Sequence, residues 1–84
     1  MEEEQLIIKD ALKLIALTNG NGALKSTVLG ALRTAEGMPL SPEQQGVIWG
    51  ILTGRQWIVG HIETLWHNTR WCVTVKGIEA LEKM

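Results

Sequence analysis

Ser41-Pro42-Glu43-Gln44-Gln45-Gly46-Val47-Ile48-Trp49-Gly50-Ile51-Leu52-Thr53-Gly54 is the stretch that fixes how the rest of this chain is read. Ser at the N-cap, Pro in the first helical position and Gln two residues later satisfy the donors that a helix start leaves unpaired. Val47, Ile48, Ile51 and Leu52 then form the expected inward stripe, and Gly54 is placed to close the helix. Downstream, residues 57–64 and 70–75 are β-branched or aromatic and are separated by Leu65-Trp66-His67-Asn68-Thr69, which predicts the two arms of a hairpin. Thr74-Val75-Lys76-Gly77 predicts a capped start of a short last helix, anchored by Ile78, Leu81 and Met84. Upstream, Leu24, Val28, Leu32 and Ala35 recur at helical spacing until Glu36-Gly37-Met38-Pro39, which predicts a second helix of about three turns. Residues 5–18 carry Ile7, Ile8, Ala11, Leu12, Leu14 and Ile15 at spacings of three and four, and Asn19-Gly20-Asn21-Gly22 ends this first helix. The fold class expected is α+β, mostly helical.

Composition bounds the rest. With 84 residues, 45% hydrophobic, 20% charged and a net charge of −1, the chain is expected to form one globular domain over residues 1–84. The apolar run around Val47 to Leu52 is far short of the roughly 20 residues that cross a bilayer, so no membrane association is expected. Glu2-Glu3-Glu4 is the reverse of the basic start of a signal peptide, and the single cysteine, Cys72, has no internal partner for a disulfide. Both point to the cytoplasm. A domain this small buries only about 60 to 65% of its unfolded surface, which makes self-association a natural supplement to its core.

Helix, helix, helix, strand, strand, helix in some 80 residues is the order of a winged helix-turn-helix domain: a three-helix core, a two-stranded β-wing and a short C-terminal helix. The tail, Arg70-Trp71-Cys72-Val73-Thr74-Val75-Lys76-Gly77-Ile78-Glu79-Ala80-Leu81, resembles a signature of small prokaryotic winged-helix transcription regulators. In those proteins an aromatic in the second wing strand leads into Leu-Thr-x-x-Gly and a Leu-bearing helix. Thr74 and Gly77 match that pattern, while Trp71 and Val73 stand where Tyr and Leu are usual. The resemblance covers residues 5–84 in architecture and residues 70–81 by motif. It implies that the third helix enters the major groove of duplex DNA and that the wing touches the neighbouring minor groove or phosphates. Carried across, the groove-facing residues are Ser41, Gln44, Gln45, Trp49 and Thr53, and the wing residues are His67, Asn68 and Arg70.

Phosphate neutralisation needs cations, and residues 42–54 contain neither Lys nor Arg. The expected anchors are therefore Lys25, Arg55, Arg70 and the wing, which an ordinary solvated surface would also explain. Gln45 is the cleaner candidate for an adenine edge, because Gln44 is also explained by the helix cap and Ser41 reads best as a cap alone. Gly46, Gly50 and Gly54 stand four apart, and glycine inside a helix costs roughly 0.5 to 1 kcal/mol against alanine. Such a notch beside Trp49 favours close approach, either by a partner or by the first helix of the same chain. Trp57 and Trp71 are expected to cap the core. Trp66, at the wing tip, is expected either to stack on a partner or to fold over Leu65. Leu6, Leu14 and Leu17 lie off the buried stripe of the first helix and point to a homodimer.

No catalytic reading gathers support, and no cofactor or metal is implied. One cysteine gives no ribbon or redox pair, His61 and His67 lack metal-ligand spacing on a helix, and Asn19-Gly20-Asn21-Gly22 has no P-loop lysine. Two readings stand: a homodimeric winged-helix regulator that binds duplex DNA through its third helix and wing, or a winged-helix module that uses Gly46, Gly50, Trp49 and Trp66 to hold a protein partner. A positive face joining the third helix to the wing favours the first, and a neutral apolar face favours the second.

Overall fold

The computed structural model describes residues 2–18, 20–63 and 68–84. Its elements are α1 (Glu2–Ala16), β1 (Ala23–Leu24), α2 (Lys25–Ala31), α3 (Pro42–Gly54), β2 (Ile58–Glu63), β3 (Asn68–Val73) and α4 (Val75–Lys83). The three strands form one antiparallel sheet in the order β1-β3-β2. The molecule is α+β, with four helices around one side of a small sheet.

One apolar core joins the layers. Ile7, Ile8, Ala11, Leu12 and Ile15 of α1 meet Val28 and Leu29 of α2, Ile48, Trp49 and Leu52 of α3, and Ile58 of β2, with Leu32 and Leu40 from the connection between α2 and α3. No polar or charged residue is buried among the described residues, so dispersion and hydrophobic transfer carry the core without an internal hydrogen-bond network. Trp57, Trp71, Val73 and Leu81 pack against its edge, half-buried.

Chain punctuation acts at the end of α1 and at both ends of α3. Thr18 Oγ1 donates to the Ile15 carbonyl at 2.6 Å and accepts from the Gly22 amide at 3.1 Å, while Gly20 and Gly22 take positive φ. Ser41 and Gln44 form the expected capping box: the Gln44 amide donates to Ser41 Oγ at 3.2 Å, and the Ser41 amide to Gln44 Oε1 at 2.9 Å. Closure of α3 differs from expectation. Gly54 is its last helical residue, and the left-handed position is Gln56 (φ 58). The Gln56 amide bonds to Thr53 and the Trp57 amide to Leu52, a Schellman closure that seats Trp57 against the core and aims β2 away from the helix.

Three further expectations are corrected. The second helix is seven residues, not three turns, because Leu32 is already extended (φ −74, ψ 144). Arg33 bridges to Pro39, and Thr34 and Gly37 close the turn between them. Leu32 still reaches the core at 2% exposure, so its place in the helical periodicity came from burial rather than from helix. The stripe of α3 is rotated by one residue: Trp49 is buried, Val47 is 48% exposed and Ile51 is half-buried. Of the three α4 anchors only Leu81 packs on the core, whereas Ile78 and Met84 are exposed. The two residues of β1 were unread, since a strand that short leaves no alternation to find.

The start of α4 is stitched to the start of β2. The Thr74 amide donates to the Trp57 carbonyl at 2.9 Å, and Thr74 Oγ1 donates to the Gln56 carbonyl at 2.6 Å while accepting from the Gly77 amide at 3.1 Å. Gly77 is buried there, and a methyl group on it would run into the Trp57 carbonyl and the Val73 side chain. Gly50, by contrast, faces open space. We therefore predict that Gly77→Ala lowers the unfolding free energy by about 2 to 4 kcal/mol, while Gly50→Ala raises it by about 0.5 to 1 kcal/mol. Urea denaturation of both variants checks this, and shifts in the same direction would contradict the placement.

Candidate functional site

Trp49 determines how α3 is presented. It was expected to face a DNA groove, yet it is 6% exposed. Its ring meets that of Trp71 edge to face, with centroids 5.1 Å apart and planes at 88°. Such a contact adds about 0.5 to 1.5 kcal/mol to the burial of two large rings. Lys25 Nζ lies 5.6 Å from the Trp49 ring centroid, which engages this cation with the indole face. Trp71 in turn needs the missing side chain of Gly60, its cross-strand neighbour: a Cβ there would stand 2.8 Å from the Thr69 methyl and 3.2 Å from the Trp71 ring.

With Trp49 turned inward, the outward surface of α3 consists of Pro42, Glu43, Gln44, Gly46, Val47, Gly50 and Gly54, all exposed. Ideal Cβ atoms on Gly46, Gly50 and Gly54 meet nothing within 4 Å, so α1 does not fill the notch and the expectation of an internal packing role is set aside. This face carries no cation. Beside it, the groove between α1 and α3 has an apolar floor of Ile7, Val47 and Ile48 and is edged by Glu3, Glu4 and Glu43. Glu3 Oε1 accepts from the Ala35 amide at 3.2 Å, which ties the start of α1 to the turn before α3.

The polar residues expected to read bases are occupied locally. Gln44 is held in the cap. Gln45 is half-buried with Nε2 3.5 Å from the Leu40 carbonyl, and Thr53 Oγ1 donates to the carbonyls of Trp49 (3.0 Å) and Gly50 (3.3 Å). Cations are dispersed. Arg55 lies beyond the C-terminal end of α3, its guanidinium 5.1 Å over the Trp57 ring. Arg70 alternates with Thr69 and Trp71 along β3, so it stands on the sheet face opposite to Trp71 and α3, half-buried beside Gly22. Only Lys25 shares a groove with Gln45, lined also by Ser26 and Thr69.

Asn68 opens β3 opposite Glu63. Trp66 and His67 lie outside the described residues. Leu6 and Leu17 are exposed (59% and 76%) as expected of surface not used by the monomer, whereas Leu14 is half-buried and packs on the core. Among the described residues no group of three or more His, Cys, Asp or Glu converges in a way that could hold a metal, and no helix is long and apolar enough to cross a membrane. Sequence reasoning missed the acid-edged groove because its residues come from α1 and α3, about 40 positions apart; helical spacing within one segment carries no such signal. Set against protein-family models, curated proteins and solved structures, the chain matches none.

The inward placement of Trp49 has a measurable consequence. We predict that Trp49→Ala costs about 3 to 5 kcal/mol of stability, whereas Val47→Ala, two positions away on the exposed face, changes it by less than about 0.5 kcal/mol. Equal, small effects in chemical denaturation would return Trp49 to the surface.

Proposed function

We propose that this chain is a winged-helix module that works by holding a protein partner on the outward side of α3 and in the groove between α3 and α1. The winged-helix assignment is supported by topology: a short strand between the first two helices, two longer strands after the third, and the sheet order β1-β3-β2. The protein reading rests on one observation, the absence of any cation from the exposed surface of α3. A duplex requires several neutralised phosphates around an inserted helix, and affinity falls steeply when they are missing. Lys25, Arg55 and Arg70 are spread over different faces and do not combine into a footprint. The exposed Val47 and the apolar floor with three carboxylates at its edge suit a different occupant: an amphipathic segment that brings apolar side chains to Ile7, Val47 and Ile48 and cations to Glu3, Glu4 and Glu43.

Duplex DNA remains the second reading, favoured by one feature, the groove in which Lys25 stands with Ser26, Gln45 and Thr69. The two readings separate in one pair of titrations. A Leu/Lys amphipathic peptide of about 14 residues, long enough to form a helix on binding, is predicted to bind the domain in calorimetry while its Leu/Glu counterpart does not. The double variant Glu43→Lys, Val47→Lys is predicted to weaken binding by at least about tenfold, or 1.4 kcal/mol. Undiminished binding by the variant, or none by the wild type, contradicts the proposal. Mixed-sequence duplex, titrated by fluorescence anisotropy at two salt concentrations, is predicted to show no steep salt dependence. A steep slope that flattens in Lys25→Ala and in Arg70→Ala would give the role to DNA.

A further inference from the structure

A sheet of three strands ordered β1-β3-β2 leaves one long edge, the outer side of β2. Proteins blunt such edges with lysine, proline, a bulge or a covering element. Strand β2, Ile58-Val59-Gly60-His61-Ile62-Glu63, has neither lysine nor proline, and its six residues pair with β3 without a bulge. Val59 to Ile62 are all exposed, Ile62 to 74%. No turn or loop backbone hydrogen bond among the described residues reaches these four residues.

We infer that a second copy of this chain pairs antiparallel with the β2 edge, joining two three-stranded sheets into one of six strands about a two-fold axis. This goes beyond the proposed role of α3 and does not depend on it. Charge selects the occupant. Arg55, whose guanidinium covers Trp57, precedes the strand and makes that end basic, and Glu63 is the last residue of the strand. Antiparallel self-pairing sets the acidic end of each copy against the basic end of the other, twice, whereas a parallel neighbour of the same sequence would place like against like. A two-fold perpendicular to the sheet also keeps each face continuous, so residues of equal parity stand opposite. Centred on Gly60, that register puts the exposed Ile62 opposite Ile58 of the second copy, which is part of the core. It also puts Val59 opposite His61, and the two glycines meet on the axis, where backbones approach most closely.

Sedimentation equilibrium tests this on the full chain. At high protein concentration, as a weak, edge-only interface calls for, the wild type is expected to sediment above the monomer mass and to rise toward twice that mass. Val59→Lys and Ile62→Lys, at exposed positions, are expected to sediment as monomers with an unchanged far-UV circular dichroism spectrum. Hydrogen exchange of the wild type gives a second readout that needs no variant: the alternate amides of residues 59–63 that point away from β3 should slow between low and high protein concentration. A monomer at high concentration, a dimer that survives both lysines, or exchange of those amides that ignores concentration overturns the inference.

Discussion

The edge-to-face contact between Trp49 and Trp71 is the constraint on which the arrangement of this domain depends. It joins α3 to the sheet beside the core contact with Ile58 of β2, and it sets the rotation of α3 about its own axis. Once the Trp49 indole is committed inward, Ile48 and Leu52 follow into the core, and Gly46, Val47 and Gly50 must face out. Supporting choices converge on the same contact. Gly60 leaves room for the Trp71 ring, and Lys25 lies over the Trp49 ring. In a chain without Phe or Tyr, these large rings supply much of the area that so small a core needs.

From that rotation comes the character of the surface. A helix presented beside a β-hairpin is the geometry of a DNA reader, yet fold does not settle role, and the chemistry of the presented face does. Here that face carries no cation along α3 and is acidic where α3 meets α1. The glycines that looked costly for a helix face open space, so nothing within the monomer offsets their conformational cost. A surface that keeps such residues is consistent with close approach by something outside the chain.

Much of this was legible in the sequence, and what was not has identifiable physical causes. The start of α3 followed from Ser41, Pro42 and Gln44, because capping is local chemistry with fixed spacing. The Thr74 cap of α4 and the stop after α1 were readable for the same reason, and the two hairpin strands from their β-branched and aromatic residues, although Asn68 and Thr69, expected in the turn, belong to β3, and Val75, expected in the strand, opens α4. The rotation of α3 was not. Val47 and Trp49 are both apolar and flank Ile48, so the stripe has two solutions, and the choice between them is made by Trp71, more than 20 positions away. Leu32 misled for a related reason: burial at helical spacing does not require helix when a bridge such as Arg33 to Pro39 carries the chain into the core. The dispersal of Arg55 and Arg70 likewise depended on the parity of β3 and on the Schellman turn at Gln56, which single-segment patterns do not encode.

The most direct measurement of the central claim is a carbon-edited nuclear Overhauser spectrum of the free domain, read at its indole and Gly60 resonances. Cross peaks between the Trp49 and Trp71 rings are expected, with a ring-current shift of the Gly60 α-protons that pack against Trp71. Sharp, solvent-like Trp49 resonances with no contact to Trp71 would mean that α3 turns its tryptophan outward and does not present Gly46, Val47 and Gly50 to a partner.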